Sequence, residues 1–424
     1  MSAVSGPIFD QARKVLPGGT FGNTAPHLMI RDGKGSRVWD ESGNEYVDYL
    51  IGSGPMLVGH GHPDVLAAVH AQIDRGTTFF ANNRHGVELA QVIVDAVACA
   101  DKVRFVSSGS EADAFAMRLA RAYRGREKIL KFEGGYHGYS DYGLMSLAPK
   151  QPGNALEPIA DSAGIPRAVN DTVLVAPFND VDAVAALLRE NKGSVAAIFM
   201  EPMQRLIPPQ PGFLEAMREL SLEHDTLLVF DEVVTGFRLA YGGAQAYYGV
   251  EPDLCTLGKA IGGGFPLAAV AGREEIMACF DRERADPERF VPQIGTLSGN
   301  PVAAAAGVAT LSVLREPGTY ERFFETCNTL RDGLRERVAR HGVEAVVVGE
   351  PPMFDTIFTT GEVRNYRDTL RGDASKQARF NALLYERGLL KSESKYYLST
   401  SLTDADVEQT LEAWDEALAI MARE

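Results

Sequence analysis

The sequence predicts an α/β fold. A large domain carries a mostly parallel sheet covered by helices, and a smaller α+β domain is built from both termini. Three observations carry this expectation. Short apolar runs recur between about residues 100 and 270 and alternate with stretches of helical period. Such runs mark strands buried on both faces of a sheet. The final hundred residues also alternate strand-like and helical stretches, on a smaller scale. With 424 residues, 45% of them hydrophobic and 23% charged, the chain can fill two or three globular domains.

The elements follow in order. Residues 37–40 and 45–48 flank Gly43 and read as a β-hairpin. Residues 64–73 and 87–98 have a helical period. Strand-like runs follow at 103–106, 129–132, 195–200, 227–230 and 267–271, with a further one at 254–257. Asn300-Pro301 is a helix start, an N-cap followed by proline at the first helical position. The last helix is expected over 403–422. The division expected is 1–64 as part of the small domain, 65–305 as the large domain and 306–424 as the C-terminal small domain. The N-terminal hairpin is expected to pack with the last of these.

Lys and Arg total 42 and Asp and Glu total 57, a net charge of −15. Such a surface repels phosphate backbones and anionic membranes, so neither nucleic acid nor membrane is expected as a partner. The most membrane-like stretch, residues 302–314, is too short to span a bilayer. Cys99, Cys255, Cys279 and Cys327 form no CxxC pair, which argues against a disulfide framework or a zinc site. No signal peptide is visible in MSAVSGPIFDQARK. A cytoplasmic protein is the expectation.

Ligands of open α/β sheets bind beyond the carboxyl ends of the strands. The residues that follow the strand runs there are Ser107 to Glu111, Glu133 to His137, Glu201, Asp231-Glu232 and Gly258-Lys259. The turn Ser108-Gly109-Ser110 reads either as a plain serine N-cap or as a phosphate cradle at a helix start. It is neither a Walker A loop nor a GxGxxG fingerprint. Lys259 reads as a solvated charge or, between small and apolar neighbours and before Gly262 to Gly264, as a desolvated amine suited to Schiff-base chemistry. Asp231 reads as an N-cap, a buried ion-pair partner or the counter-group of a pyridinium nitrogen. Tyr136 supplies a ring for stacking. Together these are the groups that pyridoxal phosphate requires.

Six segments carry a family resemblance: GPMLVGHGHPDV (54–65), SSGSEADAFAMRLAR (107–121), KFEGGYHG (131–138), FDEVVTGFR (230–238), PDLCTLGKAIGGGFP (252–266) and GTLSGNPVAAAAG (295–307). In this order they resemble the class III, fold-type I aminotransferases, and among them the glutamate-1-semialdehyde aminomutase-like group. The resemblance covers nearly the whole chain and implies pyridoxal 5'-phosphate as cofactor. It implies that Lys259 holds the cofactor and shuttles the proton, and that Asp231 pairs with the pyridine nitrogen. Val233 and Tyr136 are then the two ring faces, and Ser108, Gly109 and Ser110 the phosphate turn. Glu201 lies near the phenolic side, and His137 is either a cofactor contact or a structural histidine. Thr296 reaches the phosphate from a partner subunit, so the resemblance implies a homodimer with active sites at its interface. No metal is expected. His60 and His62, spaced like a metal pair, read as structural, and Arg238 as an ion-pair partner.

The sequence departs from the aminomutase pattern in its substrate segments. Ser53 stands where that group has a tryptophan. The stretch from Thr20 to Pro26 has no arginine, and the place of a glutamate expected within 392–397 falls to Glu393, to Lys395 or to no equivalent. These departures favour an intermolecular aminotransferase, moving an amino group from an amino-acid or amine donor to a keto-acid or aldehyde acceptor in a ping-pong cycle. The alternative is glutamate-1-semialdehyde 2,1-aminomutase or another pyridoxal-phosphate isomerase. A substrate carboxylate calls for a cation, and Arg205, Arg84 and Lys395 are the candidates.

Overall fold

The structure, a computed structural model, describes residues 6–22, 28–150 and 152–424. Residues 23–26 of the arginine-free stretch, and the first five residues, lie outside the described ones. In chain order the strands are β1 (Ile30–Lys34), β2 (Arg37–Asp40), β3 (Glu45–Asp48), β4 (Lys102–Val106), β5 (Lys128–Phe132), β6 (Val173–Ala176) and β7 (Val195–Met200). Then come β8 (Leu227–Glu232), β9 (Leu254–Leu257), β10 (Ala268–Gly272), β11 (Val346–Glu350), β12 (Met353–Ile357), β13 (Leu389–Leu390) and β14 (Tyr396–Tyr397).

The central seven-stranded sheet has the order β4-β10-β9-β8-β7-β5-β6. Neighbouring pairs from β9 to β6 are parallel, whereas β10 is antiparallel to both β9 and β4. The run at 267–271 therefore forms a strand in the reverse direction. The short link from Leu257 to Ala268 holds only a 3-10 turn, Lys259–Gly262. A parallel return needs a crossover of a dozen or more residues, so the chain turns straight back. Strand β6 was not foreseen. The sheet's strands are almost entirely apolar and buried, as in β7, where all of Val195 to Met200 are inside. Under β5, Phe132, Phe178 and Phe213 pack edge to face with centroids 4.9–5.7 Å apart.

The two ends of the chain meet in a four-stranded sheet, β1-β2-β3-β13, where Leu389 lies opposite Val47 in parallel. A three-stranded sheet, β11-β12-β14, packs against helix Asp404–Met421. There the Trp414 Nε1–H donates to the Tyr396 hydroxyl at 2.8 Å.

Helix Pro301–Leu314 begins as expected, with the Asn300 side chain accepting from the N–H groups of Val302 and Ala303. It packs across the Lys259–Gly262 turn, and its small residues explain how. A Cβ on Gly307 would sit 2.1 Å from the Ile261 carbonyl oxygen, and one on Gly263 would sit 2.7 Å from that of Ala306. Only glycine permits this approach. No described helix is long and apolar enough to cross a membrane.

Candidate active site

Lys259 follows β9 in the left-handed region, at φ 48. That conformation costs a non-glycine residue about 1–2 kcal/mol. Facing it, four consecutive residues, Ile51 to Gly54, also have positive φ. Their turn aims the Ser53 carbonyl at the lysine, whose Nζ donates to it at 2.9 Å. Strain of this kind collects at functional sites. Burial lowers the Lys259 pKa below that of an ordinary lysine, so more of the amine is neutral and nucleophilic at a given pH. Ser53, noted in the sequence for the tryptophan it replaces, thus acts through its backbone.

Asp231 is buried near the end of β8, the strand beside β9. Its Oδ2 accepts from His137 Nδ1–H at 2.8 Å, and its Oδ1 from the Val233 N–H at 3.1 Å. The His137 ring is fully buried edge-on to Phe199, and its Nε2 has no partner. A second carboxyl, Asp113 from helix Gly109–Arg124, sits beside Asp231, and the Thr256 hydroxyl bridges them at 2.7 and 3.4 Å. Burial, then the charge of Asp231, pushes the Asp113 carboxyl well above the usual carboxylate range. Sequence reading missed Asp113 because its partners lie more than a hundred positions away. Asp113, His137 and Asp231 are also the one described cluster with ligand-type atoms close enough to hold a metal, all within 4.8 Å. Among these residues, His137 Nδ1 and Asp231 Oδ2 already share a hydrogen bond.

Helix Gly109–Arg124 starts three residues earlier than its apolar pattern suggests. Ser108 caps it, and Glu111 closes a capping box. No hydrogen-bond acceptor among the described residues meets the N–H groups of Gly109 and Ser110. The helix therefore presents free donors and its positive end at the strand edge. Val233 packs against this turn, since a Cβ on Gly109 would come within 2.9 Å of its Cγ1. Glu201 accepts from the Tyr136 N–H at 3.1 Å and thereby holds the loop that carries Tyr136 and His137. Thr296 lies exposed.

Other cations frame the site. Arg238 is fully buried but meets no carboxylate among the described residues, which corrects its reading as an ion-pair partner. Its guanidinium donates to the carbonyls of Gly54 and Leu398 and lies 5.4 Å from the Tyr397 ring centroid. It joins the turn facing Lys259 to the strand region after Tyr397. Lys131, which the sequence reading passed over, donates to the carbonyls of Gly135, Gly143 and Met145 at 3.2, 2.8 and 2.6 Å. It pins the loop bearing Tyr136 and His137 from beneath. Arg205 and Lys395 approach the same region, whereas Arg84 is exposed and paired with Glu88. His60 bonds to Asp48 and His62 begins a helix, so they do not form a pair.

The family model for class III aminotransferases matches residues 20–359. An omega-transaminase from Sphaerobacter thermophilus superposes with a TM-score of 0.93 at 34% identity, over 98% of this chain and 97% of that one. A transaminase solved with pyridoxal phosphate bound gives 0.89 at 28% identity, over 98% of each chain. A glutamate-1-semialdehyde aminomutase from Pseudomonas aeruginosa PAO1 gives 0.86 at 25% identity, over 97% and 93%. The likeness runs through both sheets at the termini as well as the central one, as in fold-type I transferases. A likeness of this extent, joined to a family match over most of the sequence, means that the chain belongs to the class III aminotransferases.

Proposed function

We propose that this chain transfers an amino group from an amino-acid or amine donor to a keto-acid or aldehyde acceptor, in two half-reactions on pyridoxal 5'-phosphate. The observation that carries the reading is the arrangement of Lys259 and Asp231 at the ends of adjacent strands, the amine desolvated and the carboxylate held by His137.

The donor set fits the cofactor. The free N–H groups of Gly109 and Ser110 at the helix start suit its phosphate. Tyr136 and Val233 would flank its ring, and Asp231 would hold the proton on its ring nitrogen. When bound, pyridoxal phosphate supplies an aldehyde that condenses with amines and a ring that draws electrons from the adjacent C–H bond. Lys259 would bind it and then move the proton between the donor carbon and the cofactor. Its lowered pKa favours both tasks. His137 orients Asp231. Glu201 and Lys131 act on the site by fixing the loop that carries Tyr136.

A homodimer completes the proposal. Phe80 and Ile294 are 71% and 84% exposed, and Phe79 and Leu297 lie beside them. The two segments are joined through Asn83 to the Gly299 carbonyl at 2.7 Å and Asn300 to that of Thr77 at 2.8 Å. The resulting apolar patch borders Thr296, the residue expected to reach a partner's phosphate turn. Sedimentation equilibrium checks it, because a monomer at micromolar concentration would remove this support. The four cysteines, all free and buried, support a reducing, cytoplasmic setting.

The test of function is a panel of donors offered to the cofactor-loaded protein, with carbonyl products identified by mass spectrometry. The panel holds α-amino acids of both hands, β-amino acids, simple amines and glutamate-1-semialdehyde. A free carbonyl product from any donor but the semialdehyde supports the aminotransferase. Turnover of the semialdehyde alone, to 5-aminolevulinate, would establish the mutase instead.

A further inference from the structure

A cavity of about 300 Å³ opens beside the site, walled by Leu147, Ile207, Phe358 and Tyr366. Two cations line it, Arg205 and Lys395. Lys395 is 8% exposed, yet its ammonium donates no hydrogen bond and meets no carboxylate among the described residues. It lies over the Tyr397 ring at 5.7 Å. The Arg205 guanidinium is equally without an anion and lies 5.6 Å from the centroid of Tyr136. A buried cation without a counter-charge is costly unless a ligand supplies one.

The nearby carboxylates are already engaged. Glu201 accepts from the N–H groups of Tyr136 and Arg205. Glu133 is held bidentately by Arg367, and Asp373 caps helix Ala374–Glu386. The cavity therefore presents two basic side chains with no anionic partner among the described residues. Lys395 links it to Lys259: the Tyr397 ring beneath the Lys395 ammonium lies beside Gly54, which also meets the Lys259 side chain, and the charge of Lys395 adds to burial in lowering the Lys259 pKa.

Arg205 occupies the first position of a two-residue turn, where Gln204 and Ile207 exchange backbone hydrogen bonds at 3.0 and 2.8 Å. Its φ is 60, a conformation that such turns ordinarily give to glycine or asparagine. A long cation held there against backbone preference points to a task for its side chain.

We infer that Arg205 and Lys395 together form the subsite for a carboxylate carried by the amino donor, so that the donor class is amino acids rather than simple amines. The inference rests on the aminotransferase reading above. A guanidinium and an ammonium on one wall bind a carboxylate by charge-assisted hydrogen bonds. The rest of the donor meets apolar side chains.

Calorimetric titration of the cofactor-loaded protein with 3-phenylpropanoate, against its neutral amide 3-phenylpropanamide, tests this without turnover. The carboxylate is expected to bind well and the amide poorly. Arg205→Gly and Lys395→Met should each weaken carboxylate binding by roughly 10- to 100-fold and leave the amide unchanged. Arg205→Gly suits the backbone at that position, so its folding is not in question.

A second readout is proton uptake. Free Lys395 is pushed down to about 7 by burial, then by the charge of Arg205; Arg238 opposes its proton and Glu201 favours it. A bound carboxylate raises it again. At pH 8, titrations in buffers of different ionisation enthalpy should show up to one proton taken up, and Lys395→Met should abolish that uptake. Wild-type protein that fails to bind the carboxylate, or variants that bind it as the wild type does, would overturn the subsite. So would equal losses for carboxylate and amide. Protein that binds the carboxylate but yields no carbonyl product from any donor would overturn the aminotransferase reading and leave the subsite standing.

Discussion

Lys131 and Lys395 are both buried lysines with the same displaced pKa, about 7 in each case, and burial as the first cause. Their surroundings differ. Lys131 spends its three protons on three backbone carbonyls of the loop after β5. Lys395 spends none and faces a cavity. Burial alone therefore does not separate a structural charge from a functional one. What separates them is whether the fold has already satisfied the group. Lys391 belongs with Lys131, because Asp355 at 2.7 Å and the Ser392 carbonyl close its shell. Lys259 belongs with Lys395, since among the described residues a single carbonyl is its only hydrogen-bond partner.

The sharpest way to test this division is to remove the open member nearest the chemistry. Lys259→Ala should lower transamination by at least about a thousandfold, the scale of losing a positioned acid–base group. It should leave the melting temperature within a few degrees, because almost nothing in the fold depends on its ammonium. Single-turnover rates and calorimetry check both halves. A variant with wild-type turnover would remove Lys259 from the mechanism.

The closed member should behave in the opposite way. Lys131→Met leaves three buried carbonyls without a donor, and each such loss costs about 1–3 kcal/mol. Denaturant unfolding is expected to show a loss of about 3 kcal/mol, with cofactor affinity falling as the Tyr136 loop loosens. A variant as stable as the wild type would mean that the carbonyls find other donors, and the contrast with Lys395 would fail.

Lys395→Met should stabilise the protein at pH 7 by about 1–3 kcal/mol, since it removes a desolvated cation and leaves nothing unpaired. The unfolded chain holds this lysine's proton up to about pH 10.5, whereas the folded protein releases it near 7. Between those values the unfolded state binds more protons, so the wild type gains stability as pH rises. The advantage of Lys395→Met should therefore shrink from pH 7 to pH 10.5. Urea unfolding at three pH values reads the slope, and a constant gap would deny Lys395 its displaced pKa.

Much of this site was legible in the sequence because its parts are local. Lys259 carries its small neighbours with it, Ser108 and Glu111 form a capping box within one turn, and Asp231 ends an apolar run. What was not legible is what joins distant segments. Asp113 meets Asp231, and Lys395 meets the region of Arg205, only after the sheet has assembled. No period or spacing announces either contact. The direction of β10 was decided by the length of a link rather than by the strand's own residues, which read alike in either sense. Strand β6 was hidden by its four residues and by the long irregular connection before it.

Arg205→Gly gives the smallest effect and the most informative sign. Glycine adopts φ 60 freely, so the substitution relieves a strain of about 1 kcal/mol. The unfolded chain gains freedom from the same change, which offsets part of that gain. The net expected is a rise in stability of up to about 0.5 kcal/mol, read as a small upward shift in the urea midpoint. The same variant is expected to lose carboxylate affinity. A residue whose removal helps the fold and harms binding is one the fold does not need, and such opposition between stability and function is usual where a site keeps unsatisfied groups. Should Arg205→Gly instead destabilise the protein, the guanidinium over Tyr136 would be part of the frame, and Arg205 would move to the side of Lys131.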